Sequence, residues 1–230
     1  MHKFKFLLAA LLLCAGSAQA KLVADVDYQV VAQPQAVDDV TKIEVLEFFR
    51  YGCPHCYHLE GKLNAWRAKL PKNVVFKRIP VIWSAGHEKH AQIYYALEAM
   101  NITSQLHDRV FNAVQGQGTT TERVELREEN TLTEWIAKQG VDKAKFLAAY
   151  KSFGVLSQLQ RAKQLATAYQ VSGVPAFYVQ GKYTTSPSLV KNEDRVFVVL
   201  NELIAQEQAK KTAAPAAKPT VKTVAKAVKK

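Results

Sequence analysis

FFRYGCPHCYHLE, residues 48–60, sets two cysteines, Cys53 and Cys56, on either side of Pro54 and His55. Just ahead of the cysteines, KIEVLEFF (42–49) is dense in β-branched and aromatic residues and predicts a strand. Behind them, Leu59, Leu63, Trp66 and Leu70 recur at helical spacing, and Pro71 closes the pattern, which predicts a helix over 54–70. VVFKRIPVI (74–82) predicts a second strand. Strand, helix and strand in this order make a βαβ unit with parallel strands, so the fold class is α/β.

Downstream the hydrophobic period stays near that of a helix. Helices are expected over 87–100, 104–114, 132–140 and 142–152, with Thr131 and Thr133 as caps of the third and Gly140 as its stop. A further helix over 156–169 leads into VSGVPAFYVQGKYTT (171–185), where 176–179 and 182–184 predict a hairpin turning at Gln180–Gly181. A last helix is expected over 193–209. The expected organisation is a signal peptide (1–20), the first part of an α/β domain (21–82), an inserted helical domain (83–157), the second part of the α/β domain (158–210) and a disordered tail (211–230). Residues 21–40 read as a leader with one turn signal, Pro34.

The ends of the chain set the compartment. MHKFKFLLAALLLCAGSAQA has a basic start, an apolar run from Phe6 to Leu13 and small residues at Ala18 and Ala20, the layout of a secretory signal with cleavage after Ala20. The apolar run is too short to span a bilayer. Cys14 follows Leu13, where a lipoprotein signal needs a small residue. Cleavage leaves two cysteines in an exported protein, where disulfides persist. The formal charge of +11 overstates how basic the folded part is. The tail holds six lysines and the signal two, and without them 23 basic residues face 20 acidic ones. This excludes a nucleic-acid face on the folded part. The tail lacks aromatic residues and cannot bury enough surface to fold. An inert solubilising segment is favoured over one that associates with anionic lipid or cell-wall polymers.

A Cys-x-x-Cys pair between a strand and a helix reads as a redox motif. Pro54 suits the first helical position, which leaves Cys53 facing the unpaired N–H groups of the first turn. Those groups and the helix dipole favour a thiolate. Cys56 lies one turn on, deeper, and close enough to close a disulfide. His55 adds a donor or partial positive charge near the sulfur. A Cys53 pKa of about 4 would favour the reduced form by roughly 4 kcal/mol at pH 7, or ~90 mV. A purely structural bridge at this spacing closes too small a loop to constrain the chain much. A zinc site needs two more ligands, for which His87 and His90 are the candidates. No metal and no cofactor is expected.

Glu47 and Pro175 also stand out. Glu47 sits inside a strand expected to be buried on both faces, where a carboxylate is costly and its pKa rises. It is then a proton acceptor for the Cys56 thiol, or it occupies an edge position, or it pairs with Lys77 or Arg78 on the next strand. Pro175 precedes a strand, and a cis Val174–Pro175 bond would turn the Val174 backbone toward an incoming extended peptide. Ile82 and Trp83 are candidates for an apolar rim, with core packing the simpler account of each.

FFRYGCPHCYHLE together with SGVPAFYVQGKY resembles the DsbA-type thiol:disulfide oxidoreductases of the thioredoxin superfamily. The order of elements matches too, over about residues 40–208. The resemblance implies a thioredoxin-like fold with a helical domain inserted after the first βαβ unit. It implies Cys53 as the exposed nucleophile, Cys56 as its buried partner, and His55, next to Pro54, as the residue that tunes the potential. Glu47 would be the buried acid, and Val174 with cis Pro175 the substrate-binding loop. Such proteins pass their disulfide, through a mixed disulfide, to newly exported polypeptides with free cysteines. A quinone-linked membrane partner of the DsbB type reoxidises them. The signal and the resemblance together imply the periplasm; the lack of an obvious self-pairing segment leads us to expect a monomer, and charge and export lead us to expect no nucleic-acid partner. The rival enzymatic reading is an isomerase or reductase; isomerases of the superfamily add a dimerisation domain, of which this sequence gives no sign. A peptide-binding chaperone with an incidental disulfide is the rival from another class.

Overall fold

In the computed structural model, which describes residues 22–118 and 122–213, a five-stranded sheet lies between two helical layers. The signal peptide expected at 1–20 and the tail from 214 onward lie outside the described residues. The elements in chain order are β1 (Gln29–Val30), β2 (Ile43–Phe49), α1 (Pro54–Arg67), β3 (Val74–Pro80), α2 (Ala85–Ala99), α3 (Thr103–Gln115), α4 (Glu129–Lys138), α5 (Lys143–Tyr150), α6 (Phe153–Ala168), β4 (Ala176–Val179), β5 (Tyr183–Thr185), α7 (Pro187–Val190) and α8 (Glu193–Ala213). The strand order is β1-β5-β4-β2-β3.

All seven residues of β2 are buried. The βαβ unit forms as expected: β2 and β3 run parallel, and Glu47 stands opposite Arg78. On its other side β2 pairs antiparallel with β4, so the sheet is mixed. Alternation along β2 sends Ile43 and Val45 to one face, where Leu59, Leu63 and Trp66 of α1 and Val196, Val199, Leu200 and Leu203 of α8 cover them. Leu46 and Phe48 go to the other face, against the helices α2–α6. Glu47 shares the side of Ile43 and Val45, which puts its carboxylate beneath α1.

Helices α2–α6 lie between β3 and β4 in the chain. An aromatic cluster seats them on the end of β2: Phe49 meets Tyr51, Tyr94 and His107 edge-on, with ring centroids 5.2–5.3 Å apart. α4 begins at Glu129, so Thr131 and Thr133 lie inside it and are not its caps; the Thr133 hydroxyl donates to the Asn130 carbonyl instead. Gly140 follows the end of α4 at φ +81, as a helix stop should. Asp142 caps α5, and Ser152 caps α6 by accepting the Val155 N–H at 3.2 Å. Because α6 starts at Phe153, the division expected between residues 157 and 158 falls inside a helix. α8 continues to Ala213, so the first three residues of the expected tail are helical.

The hairpin turns where expected. Gln180 and Gly181 both have positive φ, 54 and 66, the pattern of a two-residue type I′ turn. Gly181 also lets another segment come close: its carbonyl accepts the Gln35 N–H at 3.0 Å, and a Cβ there would stand 2.0 Å from the Gln35 carbonyl oxygen. This holds the leader segment against the sheet edge beside β1, which pairs with β5. Gly181→Ala should therefore cost about 2–4 kcal/mol in urea denaturation, because both the backbone angle and the leader must shift. Gly140→Ala has the same sign of φ but nothing within 4 Å of its Cβ, and should cost about 1 kcal/mol. Equal costs would show that the leader contact contributes nothing.

Candidate active site

β2 ends in a tight turn in which the Cys53 N–H donates to the Arg50 carbonyl at 3.0 Å. Cys53 is the N-cap of α1 and Pro54 occupies its first turn, with no acidic side chain there to compete for the free N–H groups. Both cysteines are free thiols and both are buried, at 5% and 1% exposure, so Cys53 is not the exposed residue that the resemblance implies; the turn at Arg50 and the loop at Val174 cover it. Pro54 and His55 are exposed.

The two sulfurs titrate far apart. A hydrogen bond from the Cys56 thiol does most to pull Cys53 down, to about 6; burial opposes it, and the backbone N–H groups of Cys56 and His55 and the charge of Arg50 assist. Burial pushes Cys56 well up, and the neighbouring Cys53 and Glu47 push it further. A thiol titrating near 6 is roughly nine-tenths ionised at pH 7. That favours the reduced form about tenfold over an ordinary thiol, or ~30 mV, against the ~90 mV that a pKa of 4 would bring. Of His55, the backbone N–H is the group that assists here.

The Cys53 thiol donates to the Val174 carbonyl at 3.4 Å, and the Val174–Pro175 bond is cis. The loop before β4 therefore meets the start of α1 at the sulfur.

Beneath α1, one guanidinium serves two carboxylates. Arg78 Nε donates to Glu47 Oε2 at 2.9 Å, and Arg78 Nη2 donates to Glu60 Oε1 and, at 3.3 Å, to Asn64 Oδ1. All three charged residues are buried. Burial raises Glu47 to about 7 against the pull of Arg78, with the Glu60 charge adding to the rise. Burial also works to raise Glu60, but His107 and Arg78 beside it prevail and hold it below the usual carboxylate range. Two of the sequence alternatives for Glu47 thus hold together: it pairs with Arg78, and it titrates near neutrality. Lys77 goes elsewhere, to Asp38 and Glu44 at 2.5 and 2.6 Å. Tyr51 bonds His107 Nδ1 at 2.7 Å, and His107 Nε2 lies 3.6 Å from Glu60, so α3 joins the same buried group.

His87 and His90 are not brought to the cysteines as a zinc set. His87 Nδ1 accepts the Trp83 N–H at 3.3 Å, and the His90 ring stands edge-on to Tyr51. Trp83 is 48% exposed, while Ile82 packs on the core. Arg50, Tyr51 and His107 were not singled out in the sequence. Arg50 carried one available signal, a cation three positions before Cys53.

The sequence profile of the DSBA-like thioredoxin domain matches residues 59–203, which begins just after the cysteine pair. The thiol:disulfide interchange protein DsbA of Bordetella parapertussis is 41% identical over 202 residues, 87% of this chain and 93% of that protein. The protein of the same name from Azotobacter vinelandii is 41% identical over 178 residues, covering 77% of this chain and 78% of that one. Among solved structures, Pseudomonas aeruginosa DsbA superposes with a TM-score of 0.78 at 36% identity, over 83% of this chain and 97% of that one.

The Glu47 titration has a definite sign. A carboxyl raised from 4.5 to about 7 holds its proton in the folded state after the unfolded state has released it. Its contribution to stability is full below pH 4.5 and is lost as pH rises through 7. In the disulfide form, where neither thiol titrates, Glu47→Gln should gain on the unsubstituted protein by on the order of 2–3 kcal/mol between these limits. Parallel stability–pH curves would exclude the raised carboxyl.

Proposed function

The chain belongs to the DSBA-like thioredoxin family and is a thiol:disulfide oxidoreductase, and from this we propose that its Cys53–Cys56 disulfide is donated to newly exported polypeptides in the periplasm. The observation that carries the proposal is the split between the two sulfurs: an acidic Cys53 at the mouth of α1 above a buried, neutral Cys56.

In this reading a substrate thiolate attacks Cys53 Sγ of the oxidised protein. The Cys53–Cys56 bond breaks, a mixed disulfide forms at Cys53, and Cys56 leaves as a thiolate. Glu47 still holds its proton near neutrality and supplies it to the Cys56 sulfur; Arg78 then stabilises the carboxylate left behind. A second substrate thiolate attacks the substrate sulfur of the mixed disulfide and releases Cys53. The substrate is oxidised by two electrons, and the enzyme is left with a Cys53 thiolate and a Cys56 thiol. Cys53 leaves readily because its thiolate is stable. The Val174 backbone beside Pro175 aligns the substrate strand, and His55 with Pro54 sets the start of the helix. Reoxidation runs the same chemistry backward, with Glu47 as proton acceptor and a quinone-linked membrane protein of the DsbB type as the electron sink. The protein works as a monomer, and no helix among the described residues is long and apolar enough to cross a membrane.

The test is stoichiometric oxidation of a reduced, unfolded protein. The disulfide form should consume two substrate thiols per molecule, Cys56→Ser should accumulate the mixed disulfide, and Cys53→Ser should do neither. Against glutathione the couple should lie well above thioredoxin's ≈ −270 mV. Inert substrate thiols, or a potential as low as thioredoxin's, would overturn the oxidant reading in favour of a structural bridge or a reductase. Glu47→Gln should slow exchange at Cys56 about tenfold and flatten its dependence on pH between roughly 5 and 8; an unchanged profile would remove Glu47 from the mechanism.

A further inference from the structure

Arg50 enters the site above only as a charge that helps lower Cys53, and its own surroundings give it a more definite place. It follows β2 directly, and its carbonyl receives the Cys53 N–H at 3.0 Å, so a single tight turn separates the two residues. Its side chain folds back over that turn. A Cβ built on Gly52 would lie 3.0 Å from Arg50 Nη1, 3.9 Å from its Cζ and 4.0 Å from His90 Nδ1. The guanidinium therefore lies against the residue next to Cys53, between the turn and α2.

This guanidinium has no carboxylate partner among the described residues, and its Nε is buried without a hydrogen bond. Four acids of the neighbouring elements pair with other cations: Glu125 with Arg127, Glu88 with Lys163, and Glu47 and Glu60 with Arg78. The titratable groups facing it from α2 are His87 and His90; burial first, and then the cations Arg50 and Arg127, hold both below the usual imidazole range. They bring no negative charge. Of the groups around the turn, the remaining candidate for a counter-charge is the sulfur of Cys53.

We propose that Arg50 is a positioning residue of the Cys53–Cys56 couple, its guanidinium held over Gly52 as the fixed counter-charge of the Cys53 thiolate. The proposal rests on the reading of Cys53 as the nucleophile. Two substrate thiols give the disulfide two electrons; of their two protons one ends on Cys56 and the other is released to solvent, and Cys53 is left a bare thiolate. That thiolate gives Arg50 its partner. In the disulfide form the partner is gone and the guanidinium is unpaired again. Arg50 thus stabilises the reduced form alone and makes the protein a stronger oxidant. Gly52 contributes by leaving the space into which the guanidinium folds.

The test is the thiolate absorbance of the reduced protein near 240 nm, titrated with pH, for the unsubstituted chain, Arg50→Met and Arg50→Lys. Arg50→Met should raise the Cys53 pKa by about 0.5–1 pH unit and make the glutathione equilibrium at pH 7 about three- to fivefold less oxidising. Arg50→Lys, which keeps the charge, should recover more than half of both shifts. Arg50→Gln replaces Arg50→Met should the latter fail to fold. A neutral variant that titrates with the unsubstituted protein overturns the proposal. So does a lysine variant shifted as far as the neutral one, since side-chain packing and not charge would then be responsible. If the unsubstituted protein itself titrates near 8.5, the reading of Cys53 fails; an acidic Cys53 unmoved by Arg50→Met overturns the role of Arg50 alone.

Discussion

Arg78 faces two buried carboxylates, and the arrangement of the site follows from that imbalance of charge. One guanidinium neutralises one carboxylate, and the second keeps its proton to near neutrality. The same group fixes geometry. Its bonds to Glu47 on β2 and Glu60 on α1 tie the helix carrying the cysteines to two neighbouring strands. Through Glu60 and Tyr51, His107 brings α3 to the same point. Removing Arg78 would leave Glu47 buried without a partner and Glu60 with His107 alone, and breaking a buried pair in this way commonly costs about 3–5 kcal/mol.

Above this charged floor the cysteines divide by depth. Cys53 stands where a strand ends and a helix begins, so N–H groups without a partner in the helix point at its sulfur. Cys56, one turn on, is sealed under α1 and keeps its proton. A single helix start thus supplies both a thiolate and a thiol from the same residue type. Pro54 helps because its missing N–H falls where the helix has no acceptor for one.

Much of this was legible in the sequence because it depends on local pattern. The βαβ unit follows from a β-branched strand, Pro54 and a helical stripe closed by Pro71. The Gln180–Gly181 turn follows from turn chemistry. The features that were missed depend on distant partners. β1 is two residues long and exists through its pairing with β5, so no alternation announces it. α6 begins three residues before the expected Leu156, at the Ser152 cap, and Phe153, at 85% exposure, adds no buried position that would announce it. α8 outruns its expected end because Lys210 bonds Glu207 and Tyr183 at its last turns. Glu47 could be named as a buried acid, but the choice of Arg78 over Lys77 needed the β2–β3 register, in which Arg78 points beneath α1 and Lys77 away from it.

A buried ion network is weak as a device for stability, since well-packed apolar side chains of similar volume are often as stabilising or more so. Three charged residues, a histidine and a tyrosine under α1 therefore need another reason to be there. Proton accounting supplies one. When the disulfide is reduced, Cys56 must gain a proton in a place that water does not reach, and on reoxidation it must lose one. An apolar floor offers neither donor nor acceptor. A fully ionised carboxylate could accept but not donate, and a carboxyl with its proton held to high pH could donate but not accept. In the exchange proposed above, a carboxyl raised to about 7 by burial, against the pull of one shared guanidinium, would do both. Burial does most to set that poise, and the charge of the second carboxylate, Glu60, adds to it.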